Sequence, residues 1–352
     1  MEQQNIRYHL TDLVEGEVYA LGDGAFIEKR VFTDRFGRDV IEIFVNNGAL
    51  SFTVLPQRSM DIGEIFLKGE KISWEKSRNA LLHPKSVDLS VDKWEKGFFA
   101  AVTTLGPEVF GTPDEIRTVH GTGAYSPAEL QTVTISCAEH RICVAGRVPI
   151  VGYEKEPVYE KEIRVETVAG GESFIRYERT NNLTEERQHI DDGFHIQLAG
   201  PFMAQGGSYV LPVKTERMLL RDSAPVEKNP KDIYQFSEVL DPIRCYQYIP
   251  EQVTGLENVR DLANYTEIQD SGNRLTAEMI VNKEETQAAY IVRPLSAFPR
   301  SLLAKSAGDG AMYAIEPCKT RPNSIRQKAI DGELMYLDAG AGFDSWIVVG
   351  VL

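Results

Sequence analysis

Apolar and polar residues alternate with a period of two along most of this chain, which turns one face of each segment to a core and the other to solvent. The pattern predicts strands at "GEVYAL", "FIEKRVF", "DVIEIFVN" and "ALSFTVLP" in the first part of the chain. Further on it predicts them at "LQTVTISCA", "RICVAGRVPI", "YEKEIRVETV" and "SFIRYERTN". Short turn-forming stretches separate them, at "FGRD" (Phe36 to Asp39), "NNGA" (Asn46 to Ala49) and "AGGES" (Ala169 to Ser173), where Asn and Gly supply the positive φ of tight turns. Connections this short imply antiparallel pairing. Helical pattern is confined to "EKSRNALLHP" (Glu75 to Pro84), Pro113 to Arg117 and "AFPRSLLAKS" (Ala297 to Ser306). No fixed repeat or low-complexity linker marks a boundary. The expectation is therefore an all-β protein: one large antiparallel β-sandwich with short helical decorations, a single domain over residues 1–352 in which 1–40 form N-terminal strands and an arm.

Composition narrows the function classes. With 42% hydrophobic and 26% charged residues the chain is ordinary for a globular protein, and no apolar run approaches membrane-spanning length. The start, "MEQQNIRYHLTDLVEGEV", lacks the basic and apolar blocks of a secretory signal, so the expected location is the cytoplasm and no membrane partner is expected. A net charge of -14 opposes nucleic-acid binding. Cys137, Cys143, Cys245 and Cys318 show neither CxxC pairs nor zinc-ligand spacing and read as reduced thiols. No metal site is expected, and composition leaves the oligomeric state open.

Candidate chemistry begins at "AMYAIEPCKTRP", residues 311–322, where Glu316 ends a segment whose two faces both look buried. A buried Glu is costly unless paired or hydrogen-bonded, so it either completes an ion pair or is held for chemistry. Among the six histidines, His9, His83 and His140 sit in an arm, before Pro84 and in a turn, and carry no hypothesis. His120 lies in "TVHGTGAYSP", a glycine-rich loop whose backbone can come close to something, or a plain turn histidine. His195 lies in "DDGFHIQLAGPFM", where Gly193, His195 and Gln197 share the polar face of a strand; a core histidine satisfied by a neighbour is the structural alternative. His189 is the decoy nearby. In "LPQRSMDIGEIFLKGEKISW", Arg58 either contacts a ligand or ties down a hairpin, and Asp61 either contacts a ligand or caps a turn. Lys319, Arg321 and Arg326 following Glu316 suit either an anion or a solvated loop.

Taken in order, "LPQRSMDIG", "VHGTG", "GFHIQLAGPFM" and "IEPCKTRPN" resemble an uncharacterised branch of the aldose 1-epimerase (galactose mutarotase) superfamily, from about Val40 to the C-terminus. Ser59 stands where such relatives usually carry Gly. The resemblance implies that superfamily's β-supersandwich with an open sugar-binding cleft. Carried over by motif, it implies Glu316 as base and His195 as acid. His120 and Arg58 would lie near the sugar, with Gln197 and Asp61 as further substrate contacts. Opening a hemiacetal needs a base for the anomeric hydroxyl and an acid for the ring oxygen, placed on opposite sides of a sugar, and calls for no cofactor. The function expected is therefore a mutarotase of a monosaccharide or derivative. The alternatives are a non-catalytic sugar-binding or regulatory protein and, last, a glycoside hydrolase using Asp191 or Asp192 as a second carboxylate.

Overall fold

A computed structural model describes residues 5–352 except 75–76, 93, 115–117, 153–155, 201–202, 204–205, 222–232, 235–243, 260, 270–273 and 307–311. The predicted strands form two large antiparallel sheets. The nine-stranded sheet runs in the order Ile6–His9, Thr134–Ala138, Arg141–Val151, Pro157–Val168, Ser173–Asn182, Gly342–Val351, Ala288–Pro294, Leu275–Asn282 and Gly207–Val210. The twelve-stranded sheet runs Leu219–Leu220, Arg244–Tyr248, Arg300–Ser306, Met312–Cys318, Gly193–Leu198, Val102–Leu105, Asp61–Leu67, Leu50–Leu55, Asp39–Asn46, Ala25–Thr33 and Val18–Gly22, with Glu70–Lys71 pairing the Asp61–Leu67 strand. Long neighbouring strands pair in sequence order through the predicted turns, as the Arg141–Val151, Pro157–Val168 and Ser173–Asn182 meander shows. This is the large antiparallel β-sandwich that the period-two pattern predicts.

The core lies between the sheets. Phe52 of one packs on Phe174 of the other with ring centroids 4.9 Å apart, amid buried Ile27, Val45, Ile62, Val102 and Ile196. Through this apolar layer runs a buried ionic chain. Arg176 binds Glu178 at 2.7 Å, Lys161 bonds both Glu178 and Asp192, the latter at 2.8 Å, and the Arg176 guanidinium lies 3.6 Å from Asp61. Two cations stand among three carboxyls, so every charged group has a neighbour of opposite sign, the condition under which ions persist in a low-dielectric interior.

Helical expectations fare less well. "AFPRSLLAKS" contains the strand Arg300–Ser306, and "EKSRNALLHP" yields only the short 3-10 turns Arg78–Ala80 and Pro84–Ser86, with 75–76 outside the described residues. Pro113 to Arg117 falls largely on 115–117, also outside them. Among the described residues no helix is long and apolar enough to cross a membrane.

Candidate active site

Three neighbouring strands of the larger sheet make the floor. Gly193 pairs with Cys318 and Ile196 with Ile315, so His195 falls opposite Glu316, while on its other side His195 pairs with Thr103. The two side chains meet, with His195 Nε2 3.3 Å from Glu316 Oε1, and both residues are nearly closed to solvent at 3% and 4% exposure. Gly193 makes this fit possible: a Cβ there would lie 2.6 Å from the Pro317 carbonyl oxygen. Glu316 thus sits within a strand, Met312–Cys318, whose every residue is buried.

Gln197, two residues along the same face, does not reach outward. Its Nε2 donates to the Ala100 carbonyl, which turns Oε1 toward His195 to accept a hydrogen bond from Nδ1–H. That fixes the proton on Nδ1 and leaves Nε2 as the atom that exchanges a proton with Glu316 or a ligand. Gln197, expected as a substrate contact, is placed as the residue that orients the histidine.

Aromatic rings wall the pair. Phe98 stands edge-on to His195 at 4.9 Å between centroids and lies 5.1 Å from His120; Trp94 is 5.1 Å from His120, and His120 is 5.5 Å from His195. Burial, with His195 and Arg221 adding positive charge nearby, holds His120 well below the ordinary 6.5, so it is neutral at physiological pH and offers one donor and one acceptor. The glycines beside it bring the chain close to its own backbone. Gly121 has φ +73, and a Cβ on it would sit 2.9 Å from Gly106 Cα, while Gly106 N–H donates to the His120 carbonyl at 2.9 Å.

Trp94, Phe98 and Arg221 were not foreseen. The first two belong to "KWEKGFFA", an aromatic run around a glycine with no strand periodicity, which is a legible signal of a wall segment. Arg221 carries no local signal. It follows the edge strand Leu219–Leu220, where its N–H bonds the Cys245 carbonyl at 3.0 Å, and its charge is felt at both His120 and Cys245.

Two expected contacts are corrected. Arg58 is 2% exposed and spends its donors on backbone: Nε on Ala124 O at 2.7 Å, and Nη1 on Leu82 O at 3.1 Å and Gly97 O at 2.8 Å, with its plane over Tyr125. It clamps the loops that carry Phe98 and the segment after His120. Asp61 is fully buried between the sheets, where its Oδ1 accepts from Thr104 N–H at 3.0 Å and Thr104 Oγ1–H at 2.7 Å, on the face opposite His195 and Thr103. The cause is backbone geometry: Ser59 and Met60 both adopt left-handed φ, 52° and 56°, so the chain turns before Asp61, and Arg176 holds both of their carbonyls from the opposite sheet. Ser59 occupies a conformation that glycine adopts without cost.

Both corrections yield predictions. Arg58→Met strands at least two buried carbonyls, so it should lower unfolding free energy by about 3 kcal/mol or more. Urea unfolding of the variant checks this, and unchanged stability with a raised KM would restore the ligand-contact role. For Asp61, burial pushes the carboxyl from the usual 3.8 up to about 6, against the pull of Arg176 and Thr104. A carboxyl raised in the folded state stabilises below its unfolded value, and that contribution is lost as pH rises through about 6, worth about 3 kcal/mol in all. Melting curves should therefore show wild type losing stability relative to Asp61→Asn between pH 4 and 7; parallel pH profiles would refute it.

The remaining candidates lie elsewhere. Asp191 is held by Thr320 Oγ1–H at 2.6 Å, Phe110 N–H at 3.0 Å and Lys328, and Asp192 by Lys161, so neither is a free second carboxylate for hydrolysis. Lys319 donates to Ala297 O at 3.2 Å and covers the Phe343 ring, while His189 sits in the separate two-stranded pairing of Gln188–His189 with Tyr336–Leu337. His83 caps the Pro84–Ser86 turn, and His140 pairs with Asp23 at the surface.

A family model described as a domain of unknown function, DUF4432, matches residues 36–347. The chain belongs to the DUF4432 family. No curated protein matches this DUF4432 chain in sequence. In structure, a candidate aldose 1-epimerase from Klebsiella pneumoniae superposes with a TM-score of 0.77 at 17% identity, covering 99% of this chain and 87% of its own. A galactose mutarotase-like protein from Clostridium acetobutylicum gives 0.62 at 12% identity over 93% and 98% of the two chains. A candidate mutarotase from Salmonella typhimurium gives 0.59 at 9% identity over 92% and 93%. At such identities the likeness establishes the fold of this DUF4432 member, the galactose mutarotase-like sandwich, and leaves its chemistry to its own side chains.

Proposed function

We propose that the chain is a sugar mutarotase, interconverting the anomers of an aldose or aldose derivative by acid–base ring opening. One observation carries the reading: the contact between His195 Nε2 and Glu316 Oε1 beside the ring of Phe98. The anomeric hydroxyl oxygen and the ring oxygen are bonded to the same carbon, so the base and acid that serve them belong side by side. The expectation of groups on opposite sides of the sugar gives way to neighbours on adjacent strands.

The steps follow from proton placement. With Gln197 holding Nδ1–H, a proton on Nε2 makes His195 an imidazolium beside the Glu316 carboxylate. Glu316 takes the anomeric proton, Nε2–H is given to the ring oxygen, and the C1–O5 bond breaks to leave the open-chain aldehyde. The pair has then moved from carboxylate and imidazolium to carboxylic acid and imidazole. Rotation about C1–C2 presents the other aldehyde face, and the same transfers in reverse close the ring as the opposite anomer. Net charge in the buried site is the same before and after, which keeps the transfer from requiring a bare charge in low dielectric. Neutral His120 and the rings of Phe98 and Trp94 suit a sugar's hydroxyls and apolar faces.

The test is saturation-transfer NMR of anomer exchange over aldoses, uronates and sugar phosphates. Exchange above the uncatalysed rate supports the reading, and binding without exchange would replace it with that of a sugar-binding protein.

A further inference from the structure

A pocket of about 580 Å³ borders the strand of Glu316 and the strand next to it, with neither His195 nor Glu316 in its lining. Its floor includes Leu302, the register partner of Glu316 on the next strand, and Cys318, two residues further along the strand of Glu316 itself. These spacings put the backbone of the floor residues about 5 Å across the sheet and about 7 Å along it from the backbone of Glu316. That is within the length of one hexose.

The rim of this pocket is unusual for a protein of net charge -14. Four arginines line it, Arg217, Arg274, Arg300 and Arg321. Among the described residues two carboxylates answer them. Glu251 pairs with Arg217 at 2.9 Å, and a single oxygen of Glu333 accepts from both Arg300, at 3.1 Å, and Arg321, at 3.0 Å. Among the described residues, four guanidiniums against two carboxylates leave two positive charges in excess, lining a concave space together with the amide of Gln247. Glu333 engages one fork position on each of its two arginines, and a guanidinium has five N–H donors. Donors remain for a ligand, in the geometry that suits carboxylate, phosphate or sulfonate oxygens.

We propose that the substrate is an anionic sugar, whose carboxylate, phosphate or sulfonate is held in this arginine-rimmed pocket while its anomeric carbon lies against His195 and Glu316. The proposal rests on the mutarotase reading for its reaction but not for its binding. A neutral hexose would leave the excess positive charge unanswered, whereas an anionic tail makes charge-assisted hydrogen bonds there. The pocket then decides which sugars reach the proton-transfer pair.

The experiment compares galacturonate and glucose 6-phosphate with galactose and glucose. Anomer exchange is followed by NMR on wild type, and equilibrium binding by calorimetry on Glu316→Gln, with inorganic phosphate as a further titrant. At least one anionic sugar should bind about tenfold or more tightly than its neutral counterpart, with a preference that weakens at high salt. Whether galacturonate or glucose 6-phosphate is favoured tells carboxylate from phosphate. In Arg300→Gln/Arg321→Gln the ratio of anionic to neutral affinity should fall by about tenfold. Arg217→Gln/Arg274→Gln, at exposed positions, tests the same rim without touching Glu333, and its ratio should fall in the same direction. Equal affinity of wild type for anionic and neutral sugars, or a preference that survives in both double variants, overturns the proposal. Arginine-dependent anion binding with no exchange of any sugar would keep the pocket and sink the mutarotase reading. Rapid exchange of neutral sugars without anion preference would do the opposite.

Discussion

His195→Asn should lower anomer exchange by roughly two to four powers of ten, the range that a positioned general acid supplies. Asn keeps a polar group near Gln197 and close to the original volume but cannot carry a transferable proton. His189→Asn serves as the control, because His189 sits in the short Gln188–His189 pairing with Nδ1 2.9 Å from the Met335 carbonyl and has no place in the cleft. It should be nearly silent. Exchange rates measured by NMR on both variants decide the matter: a silent His195→Asn with a crippled His189→Asn would mean that the wrong histidine has been placed in the mechanism.

Glu316→Gln is expected to leave sugar binding in place and cut exchange by roughly 100-fold or more, since the amide keeps size and most hydrogen bonding but accepts no proton. Stability distinguishes this from a structural role. Glu316 contacts His195, a residue able to give up its charge, so removing the carboxylate strands no permanent cation, and melting temperature should hold or rise. If the pair were a structural ion bridge, the same change would destabilise the fold by roughly 3 to 5 kcal/mol. A marked fall in melting temperature with exchange intact would therefore end the catalytic reading of Glu316.

The strands were legible because most bury one face only. "DVIEIFVN" and the strand Asp39–Asn46 coincide, and "RICVAGRVPI" lies within Arg141–Val151, where burial alternates along nearly the whole length. "AFPRSLLAKS" misled because residues 301–305 are buried on both faces, so its apolar core Leu302, Leu303 and Ala304 shows no alternation that would mark a strand. In the site, His195 and Glu316 were readable as polar residues on buried strands, and the register brings them into contact. Arg58 and Asp61 were readable as unusual residues, but the side of the sheet each would take depended on two consecutive left-handed residues, Ser59 and Met60, for which no glycine gives notice. The charge of Arg221 acts on His120 from a position far along the sequence, beyond any local pattern.

His195 and Glu316 face each other from neighbouring strands, so their spacing belongs to the hydrogen-bonded ladder and not to any loop. The rings of Trp94 and Phe98 and the arginines of the rim come from connections and strand ends, where insertions and exchanges are tolerated. Inheritance can then act on the two parts separately. Exchanges at the borders would change what fits against the pair, while the spacing of His195 and Glu316 stays as the ladder sets it.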